Sequence, residues 1–463
     1  MIIKVPHYKV LNTTIEVDFT LFDSFSVQTK NEIDSNQFLL SLWHELDIEL
    51  GNKDGRCPWA YFPNRYKLKR NLLSFLGIVN TAIGHFYVAI SYQKKGDIDS
   101  IHFYSQNSSE DYKKRIKGLV KKAIKNNKKT ISYTVTAELK SIFQDLTFYN
   151  YTGNNFEFYE ENEKSKIKFK VNSIDEFEAT QLTEKRLRTL TAFLAIETNI
   201  HFDFDNVSIS DTPNIEKYNT TLCKHQEEVV LKHTNENGKD FIDDYPIYDS
   251  KLLISSKGVE FLNNYVFVER EYKNPKIVRS FLQACIHFQK GLASESTLIM
   301  QTAFMSEELV FAFSPVGIFN KQAIINNAMT FYLSSIEVLS FYGSQQSTCK
   351  TCNQVQYKIG QRVADFIEEY FNNDLSKVFK KLYNNRSKFL HTGESSSSNL
   401  NTHIKPMMDL TTASGLKDYG FITVNINGNC SGVYTSNVRE WTSYCFRQYY
   451  RKKILINPTH NNV

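Results

Sequence analysis

The hydrophobic period of this chain changes part-way along, and that change most limits what it can fold into. From Pro275 onward apolar residues recur at three- and four-residue steps in five runs: Lys276 to Leu292, Phe319 to Tyr342, Val355 to Phe371, Leu375 to His391 and Val433 to Leu455. Five such runs joined by short to medium loops predict an antiparallel helical bundle. Before residue 200 the pattern is mixed. Thr14 to Leu21, His85 to Tyr92, Ser100 to Tyr104, Thr130 to Leu139 and Lys166 to Val171 alternate as strands. Phe148 to Tyr159 has a hairpin turn signal at Gly153-Asn154-Asn155, and Asp34 to Leu50, Glu110 to Lys129 and Leu182 to Thr198 step as helices. The stretch from Asp203 to Tyr248, rich in Asp, Asn, Thr and Glu, reads as a connection with Pro213, Gly238 and Pro246 in it. The expected fold class is therefore α+β, with a mixed domain over residues 1–260 and an all-α bundle over 261–463.

Composition closes off several classes. At 463 residues, 41% hydrophobic and 23% charged, the chain is long enough for two or three cores and too apolar for disorder. Seven scattered cysteines argue against a disulfide framework, and MIIKVPHYKV has no basic, apolar leader, so a cytoplasmic protein is expected. Leu72 to Ile90 runs 19 residues without Lys, Arg, Asp or Glu, the length of a membrane span. Asn80, Gly84 and His85 interrupt it, and the strand-like end favours two buried core segments, so no membrane partner is expected. The net charge is +5, but residues 321–463 carry 16 Lys/Arg against 9 Asp/Glu, leaving the rest of the chain slightly acidic. The densest basic cluster is elsewhere: nine lysines and arginines between Glu110 and Lys129 surround an apolar face of Ile116, Leu119, Val120, Ala123 and Ile124. Such a helix is either a solvated face or a nucleic-acid contact. The 34 Phe and 26 Tyr likewise serve either as core or as stacking surfaces.

The most informative helix is Leu375 to Gly393. Leu375, Val378, Phe379, Leu382, Phe389 and Leu390 share one face, yet position 386, midway between Leu382 and Leu390, is Arg386, and His391 follows five residues later. An arginine in a packing stripe needs a partner or a polar cleft. In the facing run, Glu337 interrupts Ile325, Ala328, Met329, Tyr332, Ile336 and Leu339 in the same way.

The Arg386-x-x-x-x-His391 pair resembles the motif of HEPN ribonucleases. Its wording, Tyr383-Asn384-Asn385-Arg386-Ser387-Lys388-Phe389-Leu390-His391-Thr392-Gly393, looks like the branch of ApeA-type phage-defence proteins. Ser335-Ile336-Glu337-Val338-Leu339 and Gly360-Gln361-Arg362-Val363-Ala364 stand where that branch carries its first-helix and R-[VI]-A signatures. The resemblance covers about the last 190 residues and does not extend to the first 260.

It implies a HEPN helical bundle acting in anti-phage defence by abortive infection, with RNA as substrate, no cofactor and no metal. Cleavage by a ribose 2′-OH needs a proton acceptor, a donor for the leaving oxygen and positive charge against the phosphorane. His391 would move the proton and Arg386 would hold the phosphate, with Asn385, Ser387 and Glu337 in support. In the family two motif helices meet across a dimer interface, so a homodimer is implied, with residues 1–260 as sensor or regulator of a phage-derived trigger. Two departures stand out. Toxin-type members carry a tyrosine two positions after the His, where this chain has Gly393, and the residue after the Arg, often Asn, Asp or His, is Ser387. Asn385 is then expected to take over that hydrogen bonding.

A non-catalytic module competes with this reading. In it the bundle binds nucleotide or RNA or dimerises, and Arg386 pairs structurally with Glu337 or Asp365. A third possibility is a zinc loop at Cys349-x-x-Cys352, which lacks a second Cys-x-x-Cys and would have to recruit residues such as Cys430 or His403. The serine-rich stretch Glu394 to Asn401 follows the motif directly and reads as a loop.

Overall fold

The computed structural model describes residues 2–6, 14–18, 23–28, 35–50, 64–68, 71–81, 84–92, 98–105, 110–126, 130–141, 147–148, 150–210, 231–234, 240–243, 247–248, 251–252, 254–268, 276–304, 315–341, 347–348, 355–356, 358–371, 373–392 and 435–455. It is mixed α+β, with β-sheets in the N-terminal part and a mostly helical C-terminal part. The chain divides into two compact units, Met1–Ile131 with Asn172–Glu178, and Ser132–Val171 with Ala179–Val463.

In the first unit β1 (Ile2–Pro6) pairs with β2 (Thr14–Asp18). β3 (Asp23–Gln28), β4 (Asn64–Leu68), β5 (Asn71–Thr81), β6 (Gly84–Tyr92) and β7 (Ile98–Ser105) make an antiparallel sheet in the order β3-β7-β6-β5-β4. The uncharged stretch Leu72 to Ile90 is thus two paired strands, turning between Thr81 and Gly84. No helix among the described residues is long and apolar enough to cross a membrane. Alternation puts Val88, Ile90, Ile101 and Phe103 on one face. There α1 (Ser35–Leu50) contributes Phe38, Leu42 and Leu46, and α2 (Glu110–Asn126) contributes Ile116, Leu119, Val120 and Ala123, to a common core. The segment that rejoins this unit brings Asp175 within 3.3 Å of His44 Nδ1. Asp175 also accepts from Glu178 N–H, while the Glu178 carboxylate accepts from Ile174 N–H; this reciprocal cap starts α3 (Glu176–Thr198).

The second unit opens on β8 (Ile131–Ser141), β9 (Thr147–Phe148), β10 (Tyr151–Thr152), β11 (Phe156–Glu161), β12 (Lys164–Ser173) and β13 (Phe202–Ser210), with a sheet ordered β10-β11-β12-β8-β13. The β11–β12 turn places Asn162 and Glu163 at φ 54° and 59°, as a tight two-residue hairpin demands. β13 was expected to belong to the connection after Asp203. Its Asp- and Asn-rich composition masks the alternation of Phe202 and Phe204, and a one-sided edge strand needs no more than that. Short strands follow: β14 (Leu231–Thr234), β15 (Asp240–Asp243), β16 (Ile247–Tyr248) and β17 (Lys251–Leu252), the last parallel to β9.

The helices are α4 (Ser256–Phe261), continued by a π-helical turn to Val266, then α5 (Lys276–Phe304) and α6 (Pro315–Phe341). The strands β18 (Ser347–Thr348) and β19 (Val355–Gln356) precede α7 (Ile359–Tyr370), α8 (Asn373–Thr392) and α9 (Thr435–Tyr449), which ends in a π-helical turn to Ile454. The run from Val355 is not helical at its start. Residues 355–356 pair with 347–348, and Lys358, at φ 32°, turns the backbone left-handed before α7 can begin. Gly291 of α5 permits close helix packing, because a Cβ there would lie 2.4 Å from the Tyr332 ring of α6.

The boundary expected near residue 260 falls inside α4, within the second unit. Sheet and bundle share one core there. Phe193 of α3 stacks on Phe261 at 4.5 Å and meets Tyr450 edge-on at 5.5 Å. Glu197 accepts from the hydroxyls of Tyr450 (2.6 Å) and Ser255 (2.8 Å), and Arg447 donates to the Ile196 carbonyl at 2.8 Å. Loop composition marks where the chain changes pattern. It does not mark where one core ends and another begins.

Candidate functional site

α8 carries the Arg-x-x-x-x-His pair. Its first half is anchored by Leu375 and Phe379, both fully buried, and Phe379 meets the Trp441 ring of α9 at 6.1 Å. Burial then declines along the helix: Leu382 is partly buried and Leu390 is 53% exposed. Arg386 sits where the buried face runs out, with 15% of its side chain exposed.

α6 supplies its partners. Arg386 Nη1 donates to Glu337 Oε2 at 3.0 Å and Nη2 donates to Ser334 Oγ at 2.8 Å. Ser334 and Glu337 are three residues apart on one helical face, so the fork spans one turn of α6. One turn before Arg386, the Tyr383 hydroxyl donates to the same Glu337 oxygen at 3.3 Å, and its ring lies 5.3 Å from the guanidinium carbon. Burial, reinforced by the Glu337 carboxylate, raises the pKa of the Tyr383 phenol, which keeps it a donor. Arg386 Nε is buried and makes no hydrogen bond among the described residues. A guanidinium has five N–H groups, and the contacts to α6 leave some of them unspent.

Outside the motif, the charges of Arg386 and Glu337 reach His287 of α5. Burial lowers its pKa first of all, the Lys290 and Arg386 charges lower it further, and Glu337 opposes them. Its Nδ1 is buried without a hydrogen-bond partner among the described residues. α5 packs along α6 here, with Phe288 5.1 Å from the Tyr332 ring and Lys290 Nζ 6.0 Å from the Phe331 ring.

The other expected residues are placed as follows. Asn385 and Ser387 are half-buried on either side of Arg386, and no hydrogen bond joins them to it among the described residues. Asp365 is exposed and accepts from Gln361 at 2.6 Å; the Arg386 partner is Glu337. His391 stands on α8, about 7.5 Å further along the axis than Arg386 and about 140° round it, and its side chain lies outside the described residues. Cys349, Cys352, His403, Cys430 and the stretch Glu394 to Asn401 lie outside them as well.

The arrangement is chemically a cation held by a carboxylate and a hydroxyl at the edge of a helical bundle. Comparison with protein-family models, with curated proteins and with solved structures found no match to this chain.

Proposed function

We propose that this chain is a metal-independent endoribonuclease of the HEPN type, acting in anti-phage defence by abortive infection. The observation that carries the reading is Arg386. It is held at the edge of the bundle by Glu337 and Ser334, with 15% of its side chain exposed, and it lies on the helix that bears His391.

In this reading the 2′-oxygen of RNA forms a bond to phosphorus as the P–O5′ bond breaks. His391 accepts the hydroxyl proton, and Arg386 meets the charge that gathers on the phosphorane oxygens. The leaving 5′ oxygen needs a proton from a second acid. A second motif helix across a homodimer interface supplies it. Glu337 and Tyr383 position Arg386 and do not touch substrate. The first unit then senses a phage-derived trigger and restrains the site.

The test is cleavage of total RNA in EDTA. Wild type is expected to leave 2′,3′-cyclic phosphate ends and to spare DNA, which lacks the 2′-OH. His391→Ala and Arg386→Ala should each lower the rate by about a hundredfold or more. Equal cutting by His391→Ala, or loss of cutting on chelation, overturns the assignment. The Arg386–Glu337 pair itself favours a second reading, a non-catalytic RNA-binding or dimerisation module in which that pair is structural. Under it no RNA is cut, and Arg386→Ala changes stability alone.

A further inference from the structure

α2 in the first unit shows two kinds of cation. Lys113 pairs with Glu110 (2.9 Å), Arg115 with Glu49 (2.6 Å) and Lys122 with Glu45 (2.6 Å), so these three have carboxylate partners. Lys114, Lys117, Lys121 and Lys125 are exposed and have no ion-pair partner within contact distance among the described residues; the Phe25 ring lies 6.0 Å from Lys117 Nζ, and the Lys117 charge reaches Glu110. At 100° per residue these four fall within about 80° of arc and span about 16 Å of helix. They lie opposite the buried face of Tyr112, Ile116, Leu119, Val120 and Ala123. Gly118 lies on the same side with open space about it, so no side chain interrupts the row. The two acids of the helix, Glu110 and Asp111, are confined to its first turn.

Like charges three and four residues apart destabilise a helix, and a glutamate in the row would relieve it. The row contains none. We propose that Lys114, Lys117, Lys121 and Lys125 form a docking stripe for the phosphate backbone of RNA. A linear row of mobile cations on a fixed pitch suits a polyanion. A membrane surface is a poorer fit, because an interfacial helix must insert an apolar face and that of α2 is already in the core. An acidic protein is poorer too: lysine is depleted at protein interfaces, and the stripe has no exposed apolar centre. The choice of RNA among polyanions rests on the proposed function, while the inference itself concerns binding and does not require that the chain cut RNA.

Four neutralised phosphates on a single strand give a slope of about −2.8 in log affinity against log salt. Between 50 and 200 mM salt this is roughly a fiftyfold loss. The probe is a fluorescent 2′-O-methyl RNA 12-mer, which lacks the attacking hydroxyl and so resists cleavage by 2′-OH attack, titrated against the full chain by anisotropy. Replacing the four stripe lysines together with glutamine should cost at least tenfold at 50 mM salt and flatten the slope. A control replacing Lys113, Arg115 and Lys122 with glutamine should keep the wild-type slope to within about one. If the fourfold variant does not fold, the four single variants serve, each reducing the slope by about 0.7. Wild-type binding too weak to detect at 100 μM probe, or variants that bind as wild type, overturns the proposal. So does stripe-dependent binding to phosphatidylserine vesicles without binding to the oligonucleotide.

Discussion

Replacing Glu337 by glutamine keeps the shape of the Arg386 site and removes its negative charge. At the observed 3.0 Å contact, with 15% and 29% of the two side chains exposed, the pair is neither a surface bridge nor a sealed one. Its gross attraction is about 4 kcal/mol for charges about 4 Å apart at an effective dielectric of about 20. Desolvation and side-chain ordering offset most of that. Exposed pairs are worth about 0.2–1 kcal/mol, and breaking buried ones costs about 3–5 kcal/mol. Partial exposure places Glu337→Gln at about 1–2 kcal/mol, with a similar coupling to Arg386→Gln in a double-mutant cycle. Trp441 is the natural reporter, being fully buried on α9 and touching Phe379 of α8. Urea unfolding would follow its fluorescence in a background with Trp43 and Trp59 changed to phenylalanine. A coupling below about 0.3 kcal/mol would show that the two groups are independently solvated and that Glu337 does not hold Arg386.

Three further outcomes are expected. His102, His201 and His287 all have pKa values lowered by burial, so the unfolded chain takes up protons on these groups before the folded one does. Their contribution to stability is complete above the unfolded value of 6.5 and declines as the pH falls below it; urea midpoints from pH 7.5 to 5.5 should drop, less steeply in His287→Gln. By NMR titration, Arg386→Ala should raise the His287 pKa and Glu337→Gln should lower it, and no movement in either would show that neither charge reaches His287. Phe193→Ala, at a fully buried position between the sheet and the helices, should cost about 3–5 kcal/mol, and sheet and bundle should still melt in one transition. Separate transitions for residues 132–171 and for α5 to α9 would refute their shared core.

Much of the helical half was legible because its packing is local in pattern. The run Leu375 to His391 anticipates α8 almost to the residue, and Glu337 stood out as a charge on an apolar face. Ser334, Tyr383 and His287 could not be read in that way. Each is an ordinary polar residue on its own helix, and only the approach of α5, α6 and α8 makes them neighbours. His287 in particular lies beside the apolar run Phe281, Cys285 and Phe288, where nothing in the spacing distinguishes it from a solvated face. The mixed half was legible strand by strand but not in its grouping. α3 reads as a helix with one buried side, whereas every residue from Leu190 to Thr198 is buried, because the sheet layer and the bundle layer meet there.

That meeting has a consequence for how the chain is made. Ile196 and Glu197 are capped by Arg447 and Tyr450, which come 251 and 253 residues later. At about 5–20 residues per second of synthesis, roughly 10–50 s separate the emergence of α3 from that of the helix that completes its burial. During this interval Phe193 lacks the Tyr450 side of its packing, so the second unit can close only once residues 435–455 have emerged. Long-range closure of this kind folds slowly and leaves apolar surface open to aggregation or to chaperones. A ribosome that stalls before residue 435 would release a chain whose sheet layer cannot be sealed.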